Sequence, residues 1–330
     1  MSQSTIIITE AEKQATASVT APASKSVSHR YLIGAALAQG VSTVRHTLES
    51  RDLERTRAIL CGAGAGMETL PESTPASGAW RVTGIGGKPL GGAEGAPLSC
   101  DVEESGTTCR LLTAVLAAGE GEFRIHGAPR MHERPIAELT DALKKLGLAV
   151  TFEGKPVCPP LVLHAKGLNT ALCEGEVTMG MAISSQYFSG LLLAAPMGPA
   201  PLSVTLGGQK AVSWPYVGLT LQCLTDYGIR FDVETRDEAD APWEMLPPGA
   251  WRELKAAHPG CLRVTVHPGA YRAGNYTVEG DWSGASYLLA AGALGLKPVR
   301  VEGLRTDPLQ GARAMLGVLQ RMGARMTMTE

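Results

Sequence analysis

The stretch Ala23-Ser24-Lys25-Ser26-Val27-Ser28-His29-Arg30-Tyr31-Leu32-Ile33-Gly34-Ala35-Ala36-Leu37-Ala38-Gln39-Gly40 sets the reading of this chain. It is a short polar turn followed by an Ala- and Leu-rich helix that stops at glycine. A helix apolar on every side belongs inside a protein. Here its N-terminal end carries two cations, Lys25 and Arg30, and the hydroxyl of Ser26. A buried helix whose N-terminus opens at a surface presents free backbone N–H groups, and added cations make that end suited to phosphate. A plain capped helix with two solvated cations is the alternative. The Gly-x-x-x-x-Gly-Lys spacing of a nucleotide-binding loop is absent.

The same block returns along the chain. It reads Ser105-Gly-Thr-Thr-Cys-Arg-Leu-Leu-Thr-Ala-Val-Leu-Ala-Ala-Gly119, then Ser184-Ser-Gln-Tyr-Phe-Ser-Gly-Leu-Leu-Leu-Ala-Ala195, then Ser283-Gly-Ala-Ser-Tyr-Leu-Leu-Ala-Ala-Gly-Ala-Leu-Gly295. The first three copies are about 80 residues apart, the length of a unit of several elements rather than a solenoid repeat. A second block follows each: an amphipathic helix, a glycine, then a strand, at 52–67, 133–150, 216–233 and 310–328. In the second copy Ile136, Leu139, Leu143 and Leu146 recur at the helical step, and Gly147 ends the helix. Short strands are expected at 43–46, 80–83, 123–125, 161–164, 202–206 and 264–266. The Pro- and charge-rich segment 236–259 breaks the rhythm and reads as a mobile inserted loop with one helical turn.

Composition excludes several classes. Thirty basic and 32 acidic residues leave a net charge of −2, so no general attraction to nucleic acid or acidic membrane is expected. Residues 1–13 lack the build of a signal peptide, and the longest apolar run is too short to span a bilayer. These features point to the cytoplasm. The seven cysteines form no Cys-x-x-Cys pair and read as buried free thiols, with Cys61, Cys109 and Cys223 inside helical patterns. The histidines show no ligand spacing, so no metal and no cofactor are expected.

Four further candidates carry polar chemistry. Gly106 lets a ligand approach the backbone, with Arg110 one turn into the helix. Arg130 and Arg134 lie in a loop before a helix and suit a phosphate or carboxylate. Ser184, Ser185 and Gln186 form a hydrogen-bonding triplet, though an N-cap explains them as well. Ser213 and Tyr216 precede another helix. Asp281 reads as the cap of the fourth apolar helix, with a polar site residue as the alternative.

Taken together and in order, Ser24-Lys25-Ser26 with Arg30, Ser105-Gly106-Thr107 with Arg110, Pro129-Arg130-Met131 with Glu133-Arg134-Pro135, Ser184-Ser185-Gln186, and Gly280-Asp281 with Ala285-Ser286-Tyr287 resemble the enolpyruvyl transferases, and within them the 5-enolpyruvylshikimate-3-phosphate synthases. The resemblance implies an α/β (α+β) fold of repeated βαβαββ units around buried helices. It implies a complete domain at 24–280, and a partial second domain from 1–23, with a strand at Thr5–Ile8, plus 281–330. It implies a monomeric enzyme that moves the enolpyruvyl group of phosphoenolpyruvate to the 5-hydroxyl of shikimate 3-phosphate.

By the same resemblance Lys25, Ser26, Arg30, Ser184, Ser185, Gln186, Ser213 and Tyr216 bind shikimate 3-phosphate. Lys25, Gly106, Arg130 and Gln186 meet phosphoenolpyruvate, and a bare Gly106 implies inhibition by glyphosate. The family's acid–base residues would lie beyond Glu330, so turnover by this chain is not expected. Glu104 stands where the family usually has Asn; its carboxylate would repel an anion unless turned away. Alternatives are an enzyme resembling the UDP-N-acetylglucosamine enolpyruvyl transferase, a non-catalytic module for a phosphorylated ligand, and a repeat scaffold for protein partners.

Overall fold

A computed structural model describes residues 17–74, 76–295, 297–307 and 309–329. The expected strand at Thr5–Ile8 lies outside them. The chain forms two compact units. One comprises Ala23–Glu279, and the other joins the segment up to Pro22 with Gly280 onward.

After β1 (Ala17–Thr20), which belongs to the smaller unit, the larger unit runs through three similar passages. The first is α1 (Lys25–Leu37), β2 (Val41–Thr47), α2 (Arg51–Gly62), β3 (Gly66–Thr69) and β4 (Gly78–Thr83). The second is β5 (Leu98–Asp101), α3 (Gly106–Ala117), β6 (Glu120–His126), α4 (Ala137–Lys145), β7 (Ala149–Phe152) and β8 (Leu161–Lys166). The third is β9 (Glu176–Met181), α5 (Ser185–Ala194), β10 (Leu202–Ala211), α6 (Trp214–Asp226), β11 (Phe231–Thr235), β12 (Glu244–Met245) and β13 (Leu262–Val266), followed by β14 (Asn275–Thr277).

Each passage builds one sheet of the same design. The orders are β14-β2-β4-β3, β5-β6-β8-β7 and β9-β10-β13-β11, the last extended by β12. In each, the first two strands are parallel, joined across the apolar helix in the second and third sheets, and the remaining pairings are antiparallel. The first sheet takes its opening strand from the far end of the unit: Asn275, Tyr276 and Thr277 pair with Thr43, Val44 and Arg45. Nothing in so short a run announces a strand; the pairing exists because the chain returns beside β2.

The three apolar helices are buried as expected. Every residue of α1 from Val27 to Leu37 is inside, and nine residues each of α3 and α5 are inside. Small residues set how closely they approach. A methyl group on Gly190 of α5 would lie 2.9 Å from the Arg110 carbonyl oxygen of α3, inside contact distance. The insertion at 236–259 contains β12 and a 3₁₀ turn, Ala250–Glu253, matching the single helical turn expected there.

In the smaller unit β1 pairs in parallel with β15 (Val299–Glu302), and α7 (Trp282–Leu294) precedes β15. Three expectations are corrected. Helix α7 is as apolar as its counterparts, yet only Trp282 and Ala285 are buried, and Tyr287 and Leu294 are 80% and 83% exposed. Composition gave α7 an apolar surface, but burial requires neighbours on every side. Helix α8 (Met315–Arg321) is followed at 324–329 by no strand, because no partner strand lies alongside. Cys109 and Cys223 are buried free thiols, but Cys61 is exposed on the outer face of α2, where the helix turns its apolar side to Leu53, Ile59 and Leu60.

Candidate active site

The first two turns of α1, α3, α5 and α6 are tied together by side chains. Arg30, 2% exposed, leaves α1 and crosses to two other helices. Its Nε donates to Thr220 Oγ1 at 2.8 Å, and Nη2 donates to the Tyr216 carbonyl at 2.9 Å and to Ser189 Oγ at 3.2 Å. Its Nη1 donates back to the Ser26 carbonyl at 2.8 Å. Burial pulls the Arg30 pKa down to about 10, so it stays a cation at neutral pH. No carboxylate is among these partners.

Helices α3 and α5 meet through Gln186. Its Oε1 accepts from Arg110 Nη1 and its Nε2 donates to Thr107 Oγ1, both at 2.9 Å. Ser184 caps α5 by accepting from the Gln186 backbone N–H, and Ser105 caps α3 by accepting from the Thr108 N–H. These serines therefore satisfy helix N-termini as the alternative reading had it. Ser185 follows, buried.

A buried hydroxyl chain joins α1, α2 and α3. His29 Nδ1 lies 2.9 Å from Thr56 Oγ1, which lies 2.8 Å from Thr108 Oγ1, which donates to the Asp52 carbonyl at 2.9 Å. Thr108 spends its one hydroxyl hydrogen on that carbonyl, so Thr56 donates to Thr108 and His29 Nδ1–H donates to Thr56. That fixes the tautomer and leaves Nε2 a buried acceptor without a partner. Burial above all, with Arg30, Lys25 and Arg57 nearby, holds the His29 pKa down at about 3. The Asp52 carboxylate accepts from Lys25 Nζ at 3.1 Å, which fixes the exposed cation beside the opening of α1.

The sequence candidates divide accordingly. Lys25, Ser26, Arg30, Gly106, Ser185, Gln186 and Tyr216 all lie in the first two turns of these joined helices. Ser213 is exposed and left-handed, φ 60° and ψ 37°, just before α6, and its side chain makes no capping bond. Arg130 is exposed on the 3₁₀ turn Pro129–Glu133. Arg134, one residue past that turn, is the arginine that reaches α3: a methyl group on Gly106 would lie 2.9 Å from Arg134 Nη1 and 3.5 Å from Arg110 Nη1. Glu104 is exposed, and among the described residues no hydrogen bond or ion pair holds it. Asp281, in the smaller unit, caps α7 by accepting from the Ser283 N–H at 2.9 Å, as read from sequence.

Asp52, Thr56 and Thr108 were not singled out from sequence. Each is an ordinary polar residue near a helix start, and only the fold makes them neighbours. Among the described residues no group of three or more metal-ligating side chains occurs, and no helix is long and apolar enough to cross a membrane.

Buried helices thus open together beside Lys25, Arg30 and Arg110 in an α/β protein of repeated units. The chain belongs to the EPSP synthase (3-phosphoshikimate 1-carboxyvinyltransferase) family, whose model matches residues 9–243 and 256–330. The internal gap in the match, residues 244–255, falls inside the segment read as an insertion. The 3-phosphoshikimate 1-carboxyvinyltransferase of Nitrosomonas europaea is 37% identical over 320 residues, covering 96% of this chain and 65% of that protein. That of a Marinomonas species is 33% identical over 319 residues, 93% of this chain and 64% of that one. A solved EPSP synthase from Acinetobacter baumannii shares the fold with a TM-score of 0.71 at 23% identity, over 96% of this chain and 61% of that one. The chain thus spans about 65% of the length of the curated relatives it matches.

Proposed function

We propose that this chain serves the transfer of an enolpyruvyl group from phosphoenolpyruvate to the 5-hydroxyl of shikimate 3-phosphate, in the cytoplasm. On this reading the unit Ala23–Glu279 is the shikimate-3-phosphate-binding domain. The single observation that carries it is the joining of α1, α3, α5 and α6 within their first two turns through Arg30 and Gln186.

Such a site meets the chief demand of the reaction. Two phosphorylated, carboxylated anions must share one cleft, and their repulsion has to be offset by fixed positive potential. Helix termini supply it from backbone N–H groups, and Lys25 and Arg110 add whole charges. The 5-hydroxyl gives up its proton as its oxygen bonds to C2 of the enol, and a proton is added at C3. The tetrahedral adduct then expels phosphate from C2 and returns the proton from C3. Preset donors need no rearrangement as charge moves from enol to phosphate.

Calorimetric titration of the full chain with shikimate 3-phosphate tests the reading, with a UDP-sugar as the competing ligand. Saturable heat with shikimate 3-phosphate alone is the expected result. Binding of the UDP-sugar instead, or of neither, would remove it.

A further inference from the structure

The segment that reads from sequence as a mobile loop is fastened to α6 at two points. Leu254 offers its carbonyl to Trp214, the first residue of α6, whose Nε1 donates at 2.9 Å. Arg252 Nη2 donates to Gln222 Oε1, about two turns further along the same helix. Trp251, 6% exposed, seats the segment against Phe231 of β11, with ring centroids 5.8 Å apart. Near the start of the segment, Trp243 lies against the guanidinium groups of Arg236 and Arg263, at 4.1 Å and 4.6 Å.

These anchors matter because of what Trp214 adjoins. Trp214 is 4% exposed, and an indole N–H buried without an acceptor is unfavourable. Its acceptor comes from residues 244–255, the stretch that the family's model does not match. Ser213, the residue before it, has a left-handed backbone that a serine keeps only where its surroundings enforce it. The Ser213 side chain makes no capping bond, so its hydroxyl is not spent on α6. Two residues after Trp214, the Tyr216 carbonyl accepts from Arg30. The start of α6 is therefore held from α1 through Arg30 and from the insertion through Trp214, and Ser213 is the next residue out.

We propose that residues 244–255 brace the opening of α6, and that Trp214 is the positioning residue through which they act. Held by the Leu254 carbonyl, the indole fixes the backbone that presents the Ser213 hydroxyl to the phosphate of shikimate 3-phosphate. The assignment rests on the function proposed above and gives a role to a segment outside the family's pattern. A Trp214 that only filled space would contribute to stability and leave the work of Ser213 untouched.

The test is calorimetric titration of the full chain with shikimate 3-phosphate, beside hydrogen exchange of the α6 amides. W214F, which removes the indole N–H and keeps an aromatic ring, should weaken binding about fivefold, the scale of one misplaced hydrogen bond. Replacing residues 244–255 by a Gly-Ser repeat of equal length, which removes the ordered Leu254 carbonyl without shortening the chain, should weaken it equally. Both changes together should stay within about twofold of either alone, since each breaks the same contact. In an S213G background W214F should add less than about twofold, because the hydroxyl it positions is gone. Both single changes should speed exchange of the first-turn amides of α6 about tenfold and leave those of α3 unchanged. Thermal melting shows which variants are folded, and if the Gly-Ser replacement is not, the W214F and S213G cycle decides alone. Unchanged affinity in W214F would overturn the inference. So would effects of W214F and the replacement that multiply, or a W214F loss that persists in full beside S213G. Failure of the unchanged chain to bind shikimate 3-phosphate would count against the proposed function instead. Hydrogen exchange of α6 unaltered in both variants would then overturn the brace by itself.

Discussion

Arg30 Nε donates to Thr220 Oγ1 at 2.8 Å across 190 residues of sequence, so a cation opening one helix is also the bolt that holds a second. The bond explains how a charge can be fully inside the protein without a carboxylate. Its remaining contacts are to a hydroxyl and two carbonyls, which together stabilise the cation.

R30K should therefore be costly although it keeps the charge. Lysine has no fork to reach Thr220, Ser189 and the Tyr216 carbonyl at once, and stranded buried groups cost about 1–3 kcal/mol each. We predict a loss of about 3 kcal/mol or more in urea unfolding. A change below about 1 kcal/mol would mean Arg30 contributes little to holding α1 against α6.

His29 predicts acid sensitivity. Its folded pKa is near 3 against an ordinary 6.5, so below 6.5 the unfolded chain takes up a proton that the folded chain refuses. This contribution is fully present above about pH 6.5 and declines as pH falls toward 3, by about 1 kcal/mol per pH unit in the middle of that window. H29N, whose amide can still donate to Thr56, should flatten the slope. Parallel pH profiles for the two proteins from urea midpoints would contradict the assignment.

Gly34 meets Tyr227 with no room to spare. A methyl there would lie 2.7 Å from the ring. The ring cannot retreat, because it stacks on Tyr276 with centroids 4.0 Å apart and its hydroxyl donates to the Tyr31 carbonyl at 2.6 Å. G34A should destabilise by about 1–3 kcal/mol, the range for overpacking. In a Y227L background the same change should cost less, and an equal cost in both backgrounds would assign the loss to something other than this contact.

Ser213 separates stability from binding. Its left-handed backbone, φ 60°, is strained for serine and free for glycine. S213G should leave thermal stability unchanged or raise it by up to about 1 kcal/mol. If the hydroxyl meets the phosphate of shikimate 3-phosphate, the same variant should bind that ligand several-fold more weakly by calorimetry, on the scale of one hydrogen bond. Unchanged affinity would release Ser213 from the site.

Much of the molecule could be read locally. The three buried helices were visible because Tyr31–Ala38, Leu111–Ala118 and Phe188–Ala195 are almost wholly apolar and carry no charge, and such a helix has one place to go. The strands β6, β8 and β10 were visible from β-branched runs between turn residues. Pattern failed where its meaning depended on company. Helix α7 is more apolar than α1, without a charged residue, yet stays largely exposed, and β14 became a strand only by lying beside β2.

The order of elements, the helix starts at Ser105, Ser184 and Asp281, and the glycine stops were determined by the sequence itself, since caps and 3.6-residue periods act within a few residues. Tertiary structure alone decided that Arg30 turns inward to Thr220, that Arg134 rather than Arg130 stands against Gly106, and that Asp52 steadies Lys25. An all-apolar helix carries no mark of which neighbour each side will meet. Those meetings join residues up to 190 positions apart, and only packing of the whole unit selects them.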